Sequence, residues 1–294
     1  MSALSLAARK RSGTTRVKDG VFRVFIYAGI GVALLALGAL VISVVVEGRS
    51  RLNMDLIRNM PSARPSRAGI QSAIFGTLWV VGLTAAMSLP AGIGAAIYLE
   101  EFANRGRWYN KLIALNIQNL AAVPSVVFGI LGLAFIKRGA LNLGSTVITA
   151  SLVLAVLILP TIVIVSREAI RAVPDSLRQS SMALGATKWQ TVWRTVLPSA
   201  IPGIATGSIL SISRAIGESA PLLMLGALTF ITFNPSGIHS QYTVLPIQIF
   251  SYVSNAKSEF KPVAAASIVV LLIILLVLNS IAVLVRKRFR DRNS

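Results

Sequence analysis

The sequence predicts an all-α, polytopic membrane protein with six transmembrane helices, and three observations carry that prediction. Hydrophobic residues make up 54% of the 294 and charged ones only 13%, too few charges to clothe a soluble globule of this length. The apolar residues fall into uncharged runs at 24–46, 70–99, 112–136, 140–166, 195–213 and 262–285. Each matches the roughly 20 residues that cross the hydrocarbon core as a helix, which satisfies its own backbone hydrogen bonds in lipid. The two-residue alternation of a membrane barrel is absent.

The first run follows a basic segment with Arg9, Lys10, Arg11, Arg16 and Lys18. Its apolar part is far longer than the ~7–15 residues of a signal-peptide core, so an uncleaved first span is expected. The organisation reads as a basic tail at 1–20, a six-helix domain at 21–288 and a short tail at 289–294. With the N-terminus inside, the inner segments hold nineteen Lys and Arg and the outer segments nine, which puts both termini in the cytoplasm. The net charge of +19 therefore reflects residues beside the spans, and no nucleic-acid partner is implied. The outer loop at 47–69 nevertheless carries Arg49, Arg51, Arg58, Arg64 and Arg67. These suit anions, a docking protein or lipid headgroups.

Within the spans, Pro90, Pro124, Pro160 and Pro221 each remove a backbone donor and kink their helices. Gly203 with Gly207, and Ala121 with Ser125, have the small-xxx-small spacing that brings helices close. The apolar patch 244–250 inside the third polar connection is expected to fold back on the bundle as a short helix. Cysteine is absent and His239 is the one histidine, which excludes disulfides, thiolate metal sites and histidine clusters. In its polar stretch His239 reads as a solvated loop residue.

Only Arg214 and Glu218 interrupt the fifth apolar path, which continues past Phe230. Each charge near the centre of a membrane helix costs on the order of 2.5–3.5 kcal/mol. Spaced four apart, both leave one helical face and so meet each other, a polar cavity or a charged solute. Counting ~1.5 Å per residue from Ile201 puts Arg214 near the bilayer midplane. The pair is either a packing device for the helix or part of a route for polar solute. Thr229, Thr232 and Tyr242 are further candidates for lining that route.

The longest inner connection, about 167–199, contains a predicted helix that starts at Pro174 and Asp175. Leu177, Ser181 and Leu184 recur on one side, and Gly185 supplies a left-handed stop followed by Ala186. A second short helix at about 188–196 leads to Leu197, Pro198 and the fifth span. Such an element transmits a push.

Gly185, a nine-residue gap and then Thr195-Val196-Leu197-Pro198 resemble the coupling loop of ABC-importer permeases, E-A-A-x3-G-x9-I-x-L-P. Gln179, Ser180 and Ser181 stand at the first three positions and Thr195 at the isoleucine, so those four depart from the pattern. Leu89 to Glu101 (LPAGIGAAIYLEE), Leu120 to Gly129 (LAAVPSVVFG) and Ser213 to Leu223 (SRAIGESAPLL) are similar to stretches of phosphate-import permeases. The last resembles the ARxxGETAPLL signature of the PstA type, and the likeness runs from about Ile70 to Arg288.

That resemblance implies a type I ABC importer permease fold with a cytoplasmic coupling helix, in a bacterial cytoplasmic membrane. It implies a PstC-type permease as heterodimer partner, two copies of a PstB-type ATPase and a PstS-type phosphate-binding protein outside. It assigns Asp175, Leu177, Ser181, Leu184, Gly185 and Ala186 to contact with the ATPase. Leu197 and Pro198 become loop-motif residues, and Arg214 and Glu218 part of the path for inorganic phosphate. Arginine keeps its proton there, and its planar fork matches two oxyanion oxygens; Glu218 competes with the ligand and prevents trapping.

No GxxxxGK[ST] loop occurs, so ATP and Mg are expected on partner subunits, with no catalytic site or cofactor on this chain. Other readings are a permease for sulfate or molybdate and an ATP-independent anion transporter or channel.

Overall fold

The computed structural model describes residues 13–104, 106–139, 141–227 and 230–290. Most of the basic tail, positions 291–294 of the C-terminal tail and Thr229 lie outside the described residues. Every regular element among the described residues is helical.

Helix α1, Gly13–Gly48, contains the first expected span, and through residue 47 it forms a compact unit of its own. The second unit begins at Gly48. Its outer loop holds α2, Met54–Arg58, whose first turn is capped by Asn53 accepting from the Leu56 amide at 3.1 Å. Arg51 donates to the carbonyls of Pro65, Ser66 and Ala68 at 2.7, 3.0 and 3.1 Å. One of the five loop arginines is thus a staple; Arg49, Arg58, Arg64 and Arg67 remain exposed.

Helix α3, Gln71–Ile97, continues into a π-helical turn at Tyr98–Phe102. α4, Trp108–Ala121, and α5, Ser125–Leu131, follow, the latter extended by a π turn at Gly132–Lys137. Together these two cover the expected third span at 112–136, bent by 103° at the kink expected of Pro124. Pro124 at the joint has no amide proton, and its ring clashes with the carbonyl four residues back. Ala121 and Ser125 consequently belong to different helices, and their spacing is not a packing motif.

Helix α6, Val147–Arg171, is the hub and packs against α3 and α9, Leu197–Gly217. Gly203 and Gly207 make the α6–α9 approach possible, as their spacing predicts. A Cβ at Gly203 sits 2.8 Å from Ala169 Cβ, and one at Gly207 sits 2.7 Å from Val165 Cγ2. Among the described residues, five helices are long and apolar enough to cross a membrane, six with the bent pair counted as one.

α7, Asp175–Ala183, and α8, Lys188–Thr191, occupy the expected inner loop. A π turn at Val192–Val196 joins α8 to α9, with the Leu197 amide reaching the Val192 carbonyl. Pro198 and Pro202 withhold donors from this stretch, and a wider turn restores pairing.

The fifth path does not run on past Phe230: α9 ends at Gly217, and α10 is only Ala220–Met224. Pro221 accounts for the stop, since its ring opposes the Gly217 carbonyl. α11, Leu245–Val253, folds back as expected and precedes α12, Lys261–Arg290. Thr77 Oγ1 accepts from the Leu245 amide at 2.9 Å, and Tyr252 donates to the Gly69 carbonyl at 2.6 Å. Burial raises the pKa of the Tyr252 hydroxyl, which keeps it a donor. The same folding-back seals Tyr242 among core side chains, so it does not line a route; Thr232 and His239 are exposed.

Candidate functional site

Arg214 occupies the last turn of α9, where the negative end of the helix dipole favours a cation. Its neighbours Ser213, Ala215 and Ile216 are buried, and Ser213 Oγ bonds Asn279 of α12 at 3.1 Å. These contacts fix the helix end and turn Arg214 the other way, leaving 60% of its side chain exposed.

Glu218 is the first residue beyond the helix, in extended backbone, with its amide on the Ala215 carbonyl. Its side chain is 16% exposed, and Oε1 accepts from Arg214 Nε at 3.4 Å. The predicted pair therefore meets, though across a helix end rather than along one helical face. A long contact to an exposed, permanently charged fork leaves the terminal nitrogens available to an oxyanion.

Immediately beyond, α10 packs on α5: a Cβ at Gly129 sits 2.6 Å from Pro221 Cα. α10 closes with Gly226 at φ +72°, its amide on the Leu223 carbonyl and that of Ala227 on the Leu222 carbonyl. Lys137 Nζ and Ser145 Oγ both donate to the Leu225 carbonyl, at 2.7 and 3.3 Å. The stretch after the pair is thus anchored at both ends.

At the other end of the chain's core lies the inner loop. Gly185 adopts φ +85°, the left-handed stop expected of it, and the Ala186 amide reaches the Ser181 carbonyl. α7 buries none of its residues. Leu177 and Met182 are exposed, and Leu184 is 89% exposed. Ser181 instead turns toward α8, its hydroxyl 3.0 Å from that of Thr191. Asp175 is exposed and pairs with Arg178 at 3.0 Å. Leu197 is buried and Pro198 exposed at the start of α9.

Between this loop and the spans lies a cavity of about 410 Å³, lined by Glu100, Glu101, Arg171, Arg178, Lys188 and Thr191 among others. Glu100, 2% exposed, accepts from Arg167 at 3.4 Å and from Arg171 at 3.0 Å. Glu101, 9% exposed, accepts from Arg178 at 2.8 Å. Sequence reasoning counted these arginines only toward inner charge and gave the glutamates no role. The available signal was two consecutive acids closing an apolar run, opposite arginines spaced four apart.

With this geometry in place, the chain can be compared with known proteins. The sequence profile described as "Binding-protein-dependent transport system inner membrane component" matches residues 88–291. The chain belongs to that family. The permease is 32% identical over 244 residues to "Phosphate transport system permease protein PstA 1" of Mycobacterium tuberculosis (strain CDC 1551 / Oshkosh), covering 82% of this chain and 79% of the relative. It is likewise 32% identical over 242 residues to "Probable ABC transporter permease protein YqgI" of Bacillus subtilis (strain 168), covering 82% and 80%. Among solved structures, a chain of a bacterial alginate ABC transporter in complex with an alginate pentasaccharide-bound periplasmic protein superposes with TM-score 0.64. That match has 18% identity and covers 93% of this permease and 96% of the other chain, which establishes a shared fold.

Proposed function

We propose that this permease is a transmembrane subunit of an ATP-driven importer of inorganic phosphate, forming half of the pathway. The single observation that carries the reading is the outward-turned Arg214, held at a helix end and tied only loosely to Glu218. The PstA relatives support phosphate as the anion. Their partners extend to this chain as a PstC-type permease, two PstB-type ATPases that bind ATP and Mg, and an external PstS-type protein. Both termini then lie in the cytoplasm, on the side of the ATPases.

Mechanistically, phosphate delivered from outside meets the Arg214 guanidinium, which supplies paired N–H donors to two oxygens. Glu218 repels a fully ionised phosphate and accepts a hydrogen bond from a protonated oxygen. Binding is therefore shallow enough for release. The exposed apolar side chains Leu177 and Leu184 give the ATPases a surface to seat on, with Asp175, Ser181, Gly185 and Ala186 shaping it. Closure of the ATPases displaces α7 and switches the side to which the Arg214 region opens.

Reconstitution of the four-component complex in proteoliposomes tests this reading. ATP hydrolysis and uptake should rise with phosphate and not with sulfate. Stimulation by sulfate, or flux through the isolated chain without ATPases, defeats it.

A further inference from the structure

Apolar burial does not hold α7 to the membrane domain, because the helix buries none of its residues. Polar contacts do: Ser181 meets Thr191 of α8, and Arg178 ties the helix to the ends of α3 and α6. Arg178, 16% exposed, directs Nε and Nη2 to Glu101 Oε1 at 3.2 and 2.8 Å. Nη2 also reaches the Ile170 carbonyl at 2.9 Å, and Nη1 reaches the Val173 carbonyl at 2.6 Å and Asp175 Oδ1 at 3.0 Å. All five donors of the side chain are engaged. Ile170 lies in the last turn of α6 and Val173 two residues past its end, a place where the helix dipole favours a cation.

Glu101 and Glu100 are adjacent, and both are nearly buried on the π turn that ends α3. In an α-helix, neighbours diverge by about 100°. The wider i-to-i+5 turn reduces that angle and lets both acids face the same junction. They divide the work: Glu100 grips Arg167 and Arg171 of α6, whereas Glu101 grips Arg178 of α7. α6 in turn lies against α9 through Gly203 and Gly207, and α9 carries Arg214 in its last turn.

We propose that Arg178 is the positioning residue that makes α7, α3 and α6 move together, so that displacement of the coupling helix reaches the Arg214 end of α9. The proposal rests on the importer reading. It adds the residue through which the push enters the bundle.

The test uses the complete reconstituted complex and reads ATP hydrolysed per anion taken up, a ratio that loss of folded protein alone does not change. For Arg178→Gln the ratio should rise on the order of tenfold, a usual size for a coupling free energy. Glu101→Gln keeps the volume and the bonds from Arg178 to Ile170 and Val173, and should raise the ratio by a smaller factor. Arg178→Lys, with three donors on a point charge, should fall between wild type and Arg178→Gln.

An unchanged ratio in Arg178→Gln overturns the proposal. Should that variant fail to assemble, an unchanged ratio in Glu101→Gln does so. If wild type carries sulfate instead of phosphate, the substrate reading fails, while the ratio measured with sulfate still decides the role of Arg178.

Discussion

Arg178 and Arg214 are both paired with a glutamate, yet their surroundings are opposite. Arg178 is enclosed, with five donors committed to two acids and two helix-end carbonyls. Arg214 stands largely open, and its one side-chain hydrogen bond among the described residues is the 3.4 Å contact to Glu218. The first arrangement resists change of geometry, because losing Arg178 leaves the nearly buried Glu101 without that partner. The second loses little when another oxyanion replaces the carboxylate. A transporter needs both kinds of site: one that transmits displacement without yielding, and one that yields to its ligand.

Stability provides the sharpest way to break this contrast. Arg178→Ala removes one partner of a buried pair and strands Glu101, a change that costs about 3–5 kcal/mol. Thermal unfolding of the purified complex should show a large fall in midpoint. An unchanged midpoint would mean that the enclosed pair is not a structural joint. Arg214→Gln should show the converse: phosphate uptake falls about 100-fold with the loss of a charge-assisted anion contact, while stability stays within about 0.5 kcal/mol, as for an exposed position. Uptake close to wild type would remove Arg214 from the pathway.

The two sites are joined through the α6–α9 contact, which supplies a third, smaller effect. Gly207→Val places side-chain atoms where Val165 already sits 2.7 Å from a Cβ. Overpacking of this kind costs about 1–3 kcal/mol. The variant should therefore unfold earlier than wild type but later than Arg178→Ala. A midpoint equal to wild type would show that α9 slides freely on α6.

How these regions were legible in the sequence follows from the range of their interactions. Gly185 was predictable because a left-handed stop is local to its own helix, and α11 because its apolar patch lay between polar turns. The Arg214–Glu218 meeting was visible as a spacing of four. The partner of Arg178 was not, since Glu101 lies 77 residues away and nothing in a single chain of letters ties them. Kinks at Pro124 and Pro221 were expected from their missing donors, but full breaks in the helices were not. Hydropathy is blind to backbone direction, and α5 and α10 are as apolar as the helices they interrupt. Pro221, four residues after Gly217, held the local signal for the second break, and continuity of the apolar run outweighed it.

The smallest expected effect is the most informative about Glu218. Glu218→Gln keeps the size of the side chain and one acceptor oxygen but removes the negative charge beside the exposed fork. If the carboxylate competes with phosphate, its neutral analogue should lower the phosphate concentration for half-maximal uptake a few-fold, roughly the worth of one solvent-exposed ion pair. Release should slow by a similar factor, so maximal uptake falls while apparent affinity improves. An ion pair that served only to orient α9 would weaken both together, because a misplaced Arg214 binds less well and delivers less. Opposite movement of the two kinetic parameters in Glu218→Gln thus separates a competitor from a strut, and parallel decline would assign the carboxylate to packing.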